Sequence, residues 1–169
     1  MKDQIVNKMF KKHLVDFSII IFIFFIDRSS KLLIIGTPET YEQYGIGITS
    51  FLNFNLIWNE GIAFGLFSFT EKIYYNLLTI LICLIISVLI WFMFRSEGFE
   101  KLSYIMIIGG SFGNVFDRIF YSAVPDFIDI HFNNFHWFIF NVADIFVTLG
   151  IFCLIGIEMF SKKINENYK

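Results

Sequence analysis

"HWFIFNVADIFVTLGIFCLIGIEMF", residues His136–Phe160, has the length and apolar composition of a membrane-spanning helix, yet it contains two strongly polar side chains. Asn141 and Asp144 lie near its start. A carboxylate inside a membrane helix is expensive, at roughly 2.5–3.5 kcal/mol on insertion scales. A side chain with that cost is expected to serve a function, so Asp144 is the first candidate site residue.

Three further long apolar segments accompany this one in a chain of 169 residues, of which 56% are hydrophobic. Each is close to the roughly 20 residues that a helix needs to cross a bilayer. The four predicted spans cover residues 14–35, 73–94, 102–120 and 138–160. We therefore expect an all-α membrane protein with four transmembrane helices, forming one domain over residues 1–169. The connection 36–71 alternates like a strand in places, which predicts a small β or interfacial element between the first two helices.

Basic residues lie on one side of the predicted spans. The connections 36–71 and 121–137 contain no Lys or Arg. The termini and the connection between the second and third spans contain nine basic residues: Lys2, Lys8, Lys11, Lys12, Arg95, Lys101, Lys162, Lys163 and Lys169. The positive-inside rule then predicts cytoplasmic termini. Both uncharged connections are expected to face the periplasm or cell exterior.

Polar residues of three spans are predicted to meet at one depth. They are Asp27 and Lys31 on the first span, Asn114, Asp117 and Arg118 on the third, and Asn141 and Asp144 on the fourth. The first and third spans run outward with their polar residues late, and the fourth runs inward with its polar residues early. All should therefore lie within roughly 12 Å of the outer surface, at ~1.5 Å per residue. Helix–helix hydrogen bonds of about 0.6 kcal/mol are the structural alternative, but they do not require acids beside an external connection.

A second acid is available in the outer connection "VPDFIDI", where Asp126 follows Pro125 and Asp129 is a competitor. Two close carboxylates cannot both ionise, so they share a proton. The ionised member can act as general base on water while the protonated member polarises a scissile carbonyl. The pattern therefore predicts an aspartic hydrolase with the dyad Asp126 and Asp144, and it needs neither a metal nor a cofactor.

These residues carry a resemblance to a known family. The sequence resembles bacterial lipoprotein signal peptidase, signal peptidase II, along nearly its whole length. Five motif blocks match in order: "DRSSK" (27–31), "NEGIAFG" (59–65), "GGSFGNVFDR" (109–118), "VPDFIDI" (124–130) and "FNVAD" (140–144). Each block is weak alone, but five in order on a four-span chain are highly specific.

The resemblance also implies which residues act. The catalytic aspartates of the family correspond to Asp126 and Asp144. Its other motif residues fall on Asp27, Lys31, Asn59, Gly110, Asn114, Arg118, Asn141 and Ala143. Pro125 stands where the family commonly has an aliphatic residue, a departure that stiffens the loop and leaves the acid in place.

The implied activity is that of an inner-membrane aspartic endopeptidase. Members of the family remove the signal peptide from diacylglyceryl-modified prolipoproteins, cutting just before the lipidated cysteine, and are sensitive to the cyclic peptide globomycin. Membrane lipid is an expected partner, nucleic acid is not, and a monomer is expected. Phe64 and Phe140 are expected near the polar cluster, and residues 51–65 could close over it.

A serine intramembrane protease is one alternative, because "GGSFG" satisfies G-x-S-x-G at Ser111. That motif has mechanical meaning at a strand-to-helix elbow with a histidine base nearby. Ser111 is predicted to be mid-helix, and no span offers a suitable histidine. The GxxxG pair Gly109 and Gly113 in the same stretch is expected to serve close helix packing.

A proton-coupled transporter is the second alternative, because intramembrane acids and bases suit proton relays. The polar residues stop in the outer part of the predicted bilayer, however, and the inner half of every span is apolar. The sequence therefore shows no continuous polar path.

Overall fold

Helices and a small sheet make up the computed structural model, which describes residues 2–43, 45–61, 72–133 and 135–167. The elements in chain order are α1 (Lys2–Ile35), α2 (Pro38–Gln43), β1 (Ile46–Thr49), β2 (Leu52–Asn59), α3 (Lys72–Arg95), α4 (Gly98–Tyr121), β3 (Val124–Phe132), β4 (Phe135–Phe140) and α5 (Val142–Asn167). Phe64 and most of the "NEGIAFG" block lie outside the described residues.

Helix α4 is central to the bundle, because it packs against α1, α3 and α5. Its glycines make this packing possible. A Cβ on Gly109 would lie 2.9 Å from the Cβ of Ile23 on α1, and a Cβ on Gly110 would lie 2.5 Å from the carbonyl oxygen of Ala143 on α5. Both distances are closer than a side chain tolerates, so the packing role predicted for Gly109 is confirmed, and Gly110 allows close packing as well.

Two of the described helices are long and apolar enough to cross a membrane: Tyr75–Arg95 within α3 and Val142–Phe160 within α5. Only 17% and 11% of their most apolar windows are buried in the protein. Their apolar side chains therefore face outward, unlike those of a core helix in a soluble protein. Helices α1 and α4 do not meet the same criterion of composition, so four transmembrane helices remain a prediction.

The four strands form one antiparallel sheet in the order β1-β2-β3-β4. The predicted β element between the first two helices is therefore present, but it is only half of the sheet. The second connection, expected to be a loop, contributes β3 and β4. Ile34 of α1, Leu56 of β2 and Phe127 of β3 form a buried cluster that holds the sheet against the end of α1.

The predicted start of the fourth span at residue 138 is wrong. Helix α5 begins at Val142, because Ile139 and Phe140 pair with Asp129 and Ile128 of β3 as part of a strand. Apolar residues continue across the boundary, so hydropathy does not reveal the change from strand to helix. The predicted first span is also part of a longer helix, since α1 begins at Lys2.

Candidate active site

The start of α5 is fixed by a reciprocal pair of hydrogen bonds between Asn141 and Asp144. The backbone N–H of Asp144 donates to Asn141 Oδ1 at 3.1 Å, and the backbone N–H of Asn141 donates to Asp144 Oδ2 at 3.1 Å. This is the geometry of a capping box, in which each side chain satisfies a free donor of the first helical turn. The carboxylate of Asp144 is thereby held at the helix N-terminus, where negative charge is favourable.

Asp126 reaches the same place from strand β3. Its Oδ2 accepts a hydrogen bond from Asn59 Nδ2 at 2.9 Å, and its Oδ1 accepts one from Asn141 Nδ2 at 2.6 Å. Asn141 therefore contacts both aspartates. Burial, with a further contribution from the charge of Asp144, raises the pKa of Asp126 to about 7. The raised pKa favours the protonated form of this carboxyl.

Lys31 lies at the centre of a buried network beside the aspartates, and its side chain is fully buried. Its Nζ donates to Asp27 Oδ2 at 2.8 Å, to Asn114 Oδ1 at 2.9 Å and to Asp117 Oδ2 at 2.6 Å. All three hydrogens of the ammonium group are therefore used. Because Asn114 accepts from Lys31, its amide nitrogen is free to donate to Asp144 Oδ1, at 2.8 Å.

Asp27 connects α1 to the start of α5. Its Oδ1 accepts a hydrogen bond from the backbone N–H of Ala143 at 2.9 Å, while its Oδ2 accepts from Lys31. The first N–H groups of a helix have no partner within it. A carboxylate from another helix satisfies one of them here. Gly113 allows this approach, since any Cβ at that position would collide with the Asp27 carboxylate.

Arg118 binds the protein backbone. Its Nη2 donates to the carbonyl oxygen of Gly61 at 3.0 Å, and its Nη1 donates to that of Asn114 at 3.2 Å. Asn59 Oδ1 in turn accepts from the N–H of Gly61 at 2.9 Å. Arg118 and Asn59 therefore hold the chain that follows β2 beside Asp126.

A cavity of about 160 Å³ lies between the helices and the sheet. Its lining residues are Asn59, Ile82, Ser111, Asn114, Arg118, Val124, Asp126, Asn141, Asp144 and Val147. Both carboxylates thus share one small cavity with three amides and a guanidinium, surrounded by aliphatic side chains. Such a site can bind a peptide and a water molecule between two acids.

All predicted site residues meet in this region. Gly110, Ala143, Asp27 and Lys31 lie behind the cavity as packing and hydrogen-bonding partners, and the other predicted residues line it. Asp129, the competing acid, does not join them. Its carboxylate instead pairs with His136 Nδ1 at 2.9 Å and lines a separate polar cavity.

Sequence reasoning placed Asp117 at the depth of the polar cluster but gave it no role, and it missed Arg28 as a member of the network. Asp117 is fully buried and binds both Lys31 and Arg28. The Arg28 guanidinium also lies over the rings of Phe116 and Tyr121, at 5.3 and 5.4 Å from their centroids. The spacing Asn114–Asp117, three residues apart on one helix face, was the available signal for Asp117.

Ser111 lines the cavity, as the serine-protease alternative requires. Among the described residues, however, no histidine lines it with Ser111. His131 and His136 belong to the sheet, and His13 lies near Phe94 at a different position in the bundle. Ser111 therefore has no histidine base within the described part of the site.

Solved structures place this architecture among membrane enzymes. One bacterial membrane enzyme superposes with a TM-score of 0.75 at 25% sequence identity, covering 92% of this chain and 93% of its own. A second gives a TM-score of 0.69 at 26% identity, covering 83% and 90%. The class of protein that the fold and the site define is thus a membrane enzyme.

Sequence comparison identifies the family. The signal peptidase (SPase) II family matches residues 19–160, and the chain belongs to it. It is 53% identical to the lipoprotein signal peptidase of Pelagibacter ubique (strain HTCC1062), over 88% of this chain and 90% of that protein. It is 42% identical to that of Wigglesworthia glossinidia brevipalpis, over 86% and 92%. The protein is therefore a protease, and the resemblance stated from the five motifs is confirmed.

Proposed function

We propose that this protease cleaves signal peptides from prolipoproteins with Asp126 and Asp144 as a catalytic dyad. One observation carries the proposal: two carboxylates from different elements, the buried Asp126 and the half-buried Asp144, share one small cavity, and Asn141 hydrogen-bonds to both. Each carboxylate accepts two hydrogen bonds from amide or backbone N–H groups. Their orientation is thus fixed before any substrate binds, which is what acid–base catalysis requires.

Catalysis then follows from one proton shared by two acids. The ionised carboxylate takes a proton from water, and the resulting hydroxide attacks the scissile carbonyl carbon. The protonated carboxyl donates to the carbonyl oxygen as the tetrahedral intermediate forms. On collapse, the C–N bond breaks and the leaving amine takes the proton that the dyad gained from water. A hydroxyl of the gem-diol intermediate returns its proton to the other carboxylate as the carbonyl re-forms, so the dyad is again singly protonated. Asn59 and Arg118 lie in the cavity wall, where they can bind the substrate backbone.

Lys31 and Asp27 act as positioning residues in this proposal. Lys31 orients the Asn114 amide that donates to Asp144, and Asp27 holds the first turn of α5 through Ala143 N–H. Both are shielded from the cavity by the residues that they position. Their charges offset one another within the bundle, so Lys31 adds no net positive charge beside the dyad.

We infer that α1 and α4 cross the membrane together with α3 and α5. Their charged residues reduce their average hydropathy, but these charges pair inside the bundle: Lys31 with Asp27 and Asp117, and Arg28 with Asp117. Charged groups that pair in a bundle interior are tolerated in membrane helices. The distribution of basic residues supports cytoplasmic termini in a bacterial inner membrane, with the sheet and the dyad toward the periplasm.

The orientation predicts which positions an impermeant thiol reagent reaches from outside. With Cys83 and Cys153 replaced by alanine, Ser50→Cys is expected to react in intact cells and Glu97→Cys only after permeabilisation. Ser50 is exposed beside β2, and the Glu97 side chain is 82% exposed between α3 and α4. Both thiols are therefore accessible to water, and the membrane alone should separate them. The reverse pattern would show that the orientation is inverted.

The substrate in this proposal is a prolipoprotein whose cysteine carries a diacylglyceryl group, and cleavage falls just before that cysteine. Acyl chains that stay in the lipid would fix the depth of the scissile bond relative to the dyad, at about 0.8 kcal/mol per buried methylene. The aromatic side chains of Phe120 on α4 and Trp137 on β4 face outward, and membrane lipid covers such surfaces in this proposal. The protein is expected to act as a monomer. The cyclic peptide globomycin would inhibit by occupying the cavity.

A lipidated precursor is expected to be cleaved at least about tenfold faster than the same precursor before diacylglyceryl transfer. The anchored chains remove much of the entropy of positioning the scissile bond. A gel-shift assay with purified full-length protein compares both precursors under the same detergent conditions, and Asp144→Asn serves as the inactive control. Equal cleavage of both forms would show that the lipid does not position the substrate.

A further inference from the structure

Ser111 differs from three of the serines inside the long helices. Ser18, Ser87 and Ser103 each donate from Oγ to the carbonyl oxygen four residues earlier, at 2.8–2.9 Å. This back-bonding is the usual way in which a helical serine satisfies its hydroxyl. Within the described part of the chain, Ser111 makes no such bond and has no other hydrogen-bond partner.

The position of Ser111 gives its hydroxyl a different environment. One face of α4 carries Ser111, Asn114 and Arg118, which are spaced i, i+3 and i+7. All three residues line the cavity. Ser111 precedes Asn114 by three residues, so it lies about 4.5 Å further from the sheet along the axis of α4. Val147 lies one turn beyond Asp144 on α5 in the same direction. Ser111, Val147 and Ile82 of α3 therefore form the floor of the cavity.

The hydroxyl of Ser111 is also accessible. It is not among the buried polar atoms that lack a partner, although it has no partner in the described residues. Since Ser111 lines the cavity, the accessible hydroxyl is available to whatever occupies that cavity. The floor is otherwise aliphatic, so this is the polar group that it offers.

We propose that Ser111 is a specificity-determining residue that hydrogen-bonds to the side chain of the substrate residue just before the scissile bond. The proposal rests on the proposed function, in which the signal peptide enters from the membrane side. The residue on the amino side of the scissile bond then points toward the floor. Ser111 would allow serine at that position as readily as alanine.

The chemistry of the floor supports this assignment. The cavity of about 160 Å³ must hold the scissile peptide as well, which favours a small side chain at the floor. Ile82 and Val147 can contact the methyl group of an alanine, but neither can satisfy a hydroxyl. Burying a hydroxyl without a partner is unfavourable, and sites built to pair a substrate hydroxyl discriminate strongly. Ser111 supplies the missing partner.

The test compares two lipidated precursors that differ only in alanine or serine before the scissile bond. Ser111→Ala is expected to lower kcat/KM for the serine precursor about tenfold more than for the alanine precursor, the loss expected for one buried hydrogen bond. Alanine is the best helix former, so the variant should keep α4 intact. Cleavage of the alanine precursor by the same preparation reports its folding.

Ser87→Ala is the matched control, because Ser87 lies on α3 outside the cavity lining and bonds to the Cys83 carbonyl. It should leave the ratio of the two precursors unchanged. The proposal is wrong if Ser111→Ala leaves the ratio of kcat/KM for the two precursors unchanged. An equal loss on both precursors is one form of that outcome, and it would indicate a contact with the substrate backbone. Full activity of Asp126→Asn would instead refute the dyad. Labelling of Ser111 by a serine-directed phosphonate would identify a nucleophile and overturn both proposals.

Discussion

Asp126→Asn and Asp144→Asn are each expected to lower kcat for a lipidated precursor by roughly 10³-fold or more, with the protein still folded in the membrane. An amide keeps the shape of the carboxylate and can still accept a hydrogen bond. It cannot take a proton from water, and it cannot share one with the remaining acid. Single-turnover cleavage by the purified variants measures the loss, and thermal unfolding in detergent checks that the fold is retained.

Asp129→Asn is a matched control for both variants. Asp129 lies three residues beyond Asp126 on the same strand and is also buried, at 2% exposure. Its carboxylate pairs with His136 and lines a different cavity, so its loss should reduce cleavage far less. The dyad assignment is wrong if either Asp126→Asn or Asp144→Asn keeps full activity, or if Asp129→Asn is equally inactive.

Helical spacing predicted the contacts that form within one element. Asp27 and Lys31, four residues apart on α1, form the expected ion pair at 2.8 Å. The shared depth of polar residues on three spans also brought Asn114 and Asp144 together correctly, at 2.8 Å. These predictions succeed because a helix fixes which side chains share a face, and the length of each span fixes their height.

The contacts between elements were less accessible to sequence reasoning. Apolar residues stand on both sides of Asn141, so the average hydropathy does not separate the end of β4 from the start of α5. The spacing of Asn141 and Asp144 is the one local sign of that boundary, since it fits a capping box. The same spacing also fits two residues on one face inside a helix, which is the interpretation given in the sequence analysis. The bond from Ala143 N–H to Asp27 depends on how α1 packs against α5, which no local pattern encodes. The role of Asp117 was missed for the same reason.

Lys31→Met is expected to destabilise the protein by about 3–5 kcal/mol, the range for breaking a buried ion pair from one side. Methionine has a similar length but carries no charge and no donors. Asp27 and Asp117 would remain buried without their shared partner, and the Asn114 amide would lose the contact that orients it toward Asp144. Thermal or denaturant unfolding of the full-length protein in detergent measures the change, and the kcat of the folded fraction should fall as well.

Lys12→Met tests whether burial is the cause. Lys12 also pairs with a carboxylate, Glu97 Oε1 at 2.7 Å, but both side chains are exposed. Loss of this exposed ion pair should therefore change the free energy of unfolding little. A second mutation, Asp27→Asn in the Lys31→Met background, should restore part of the lost stability, because it removes one of the uncompensated charges. A Lys31→Met protein as stable as the wild type would show that the network does not stabilise the bundle. A double variant less stable than Lys31→Met would show that the uncompensated charge of Asp27 is not the source of the lost stability.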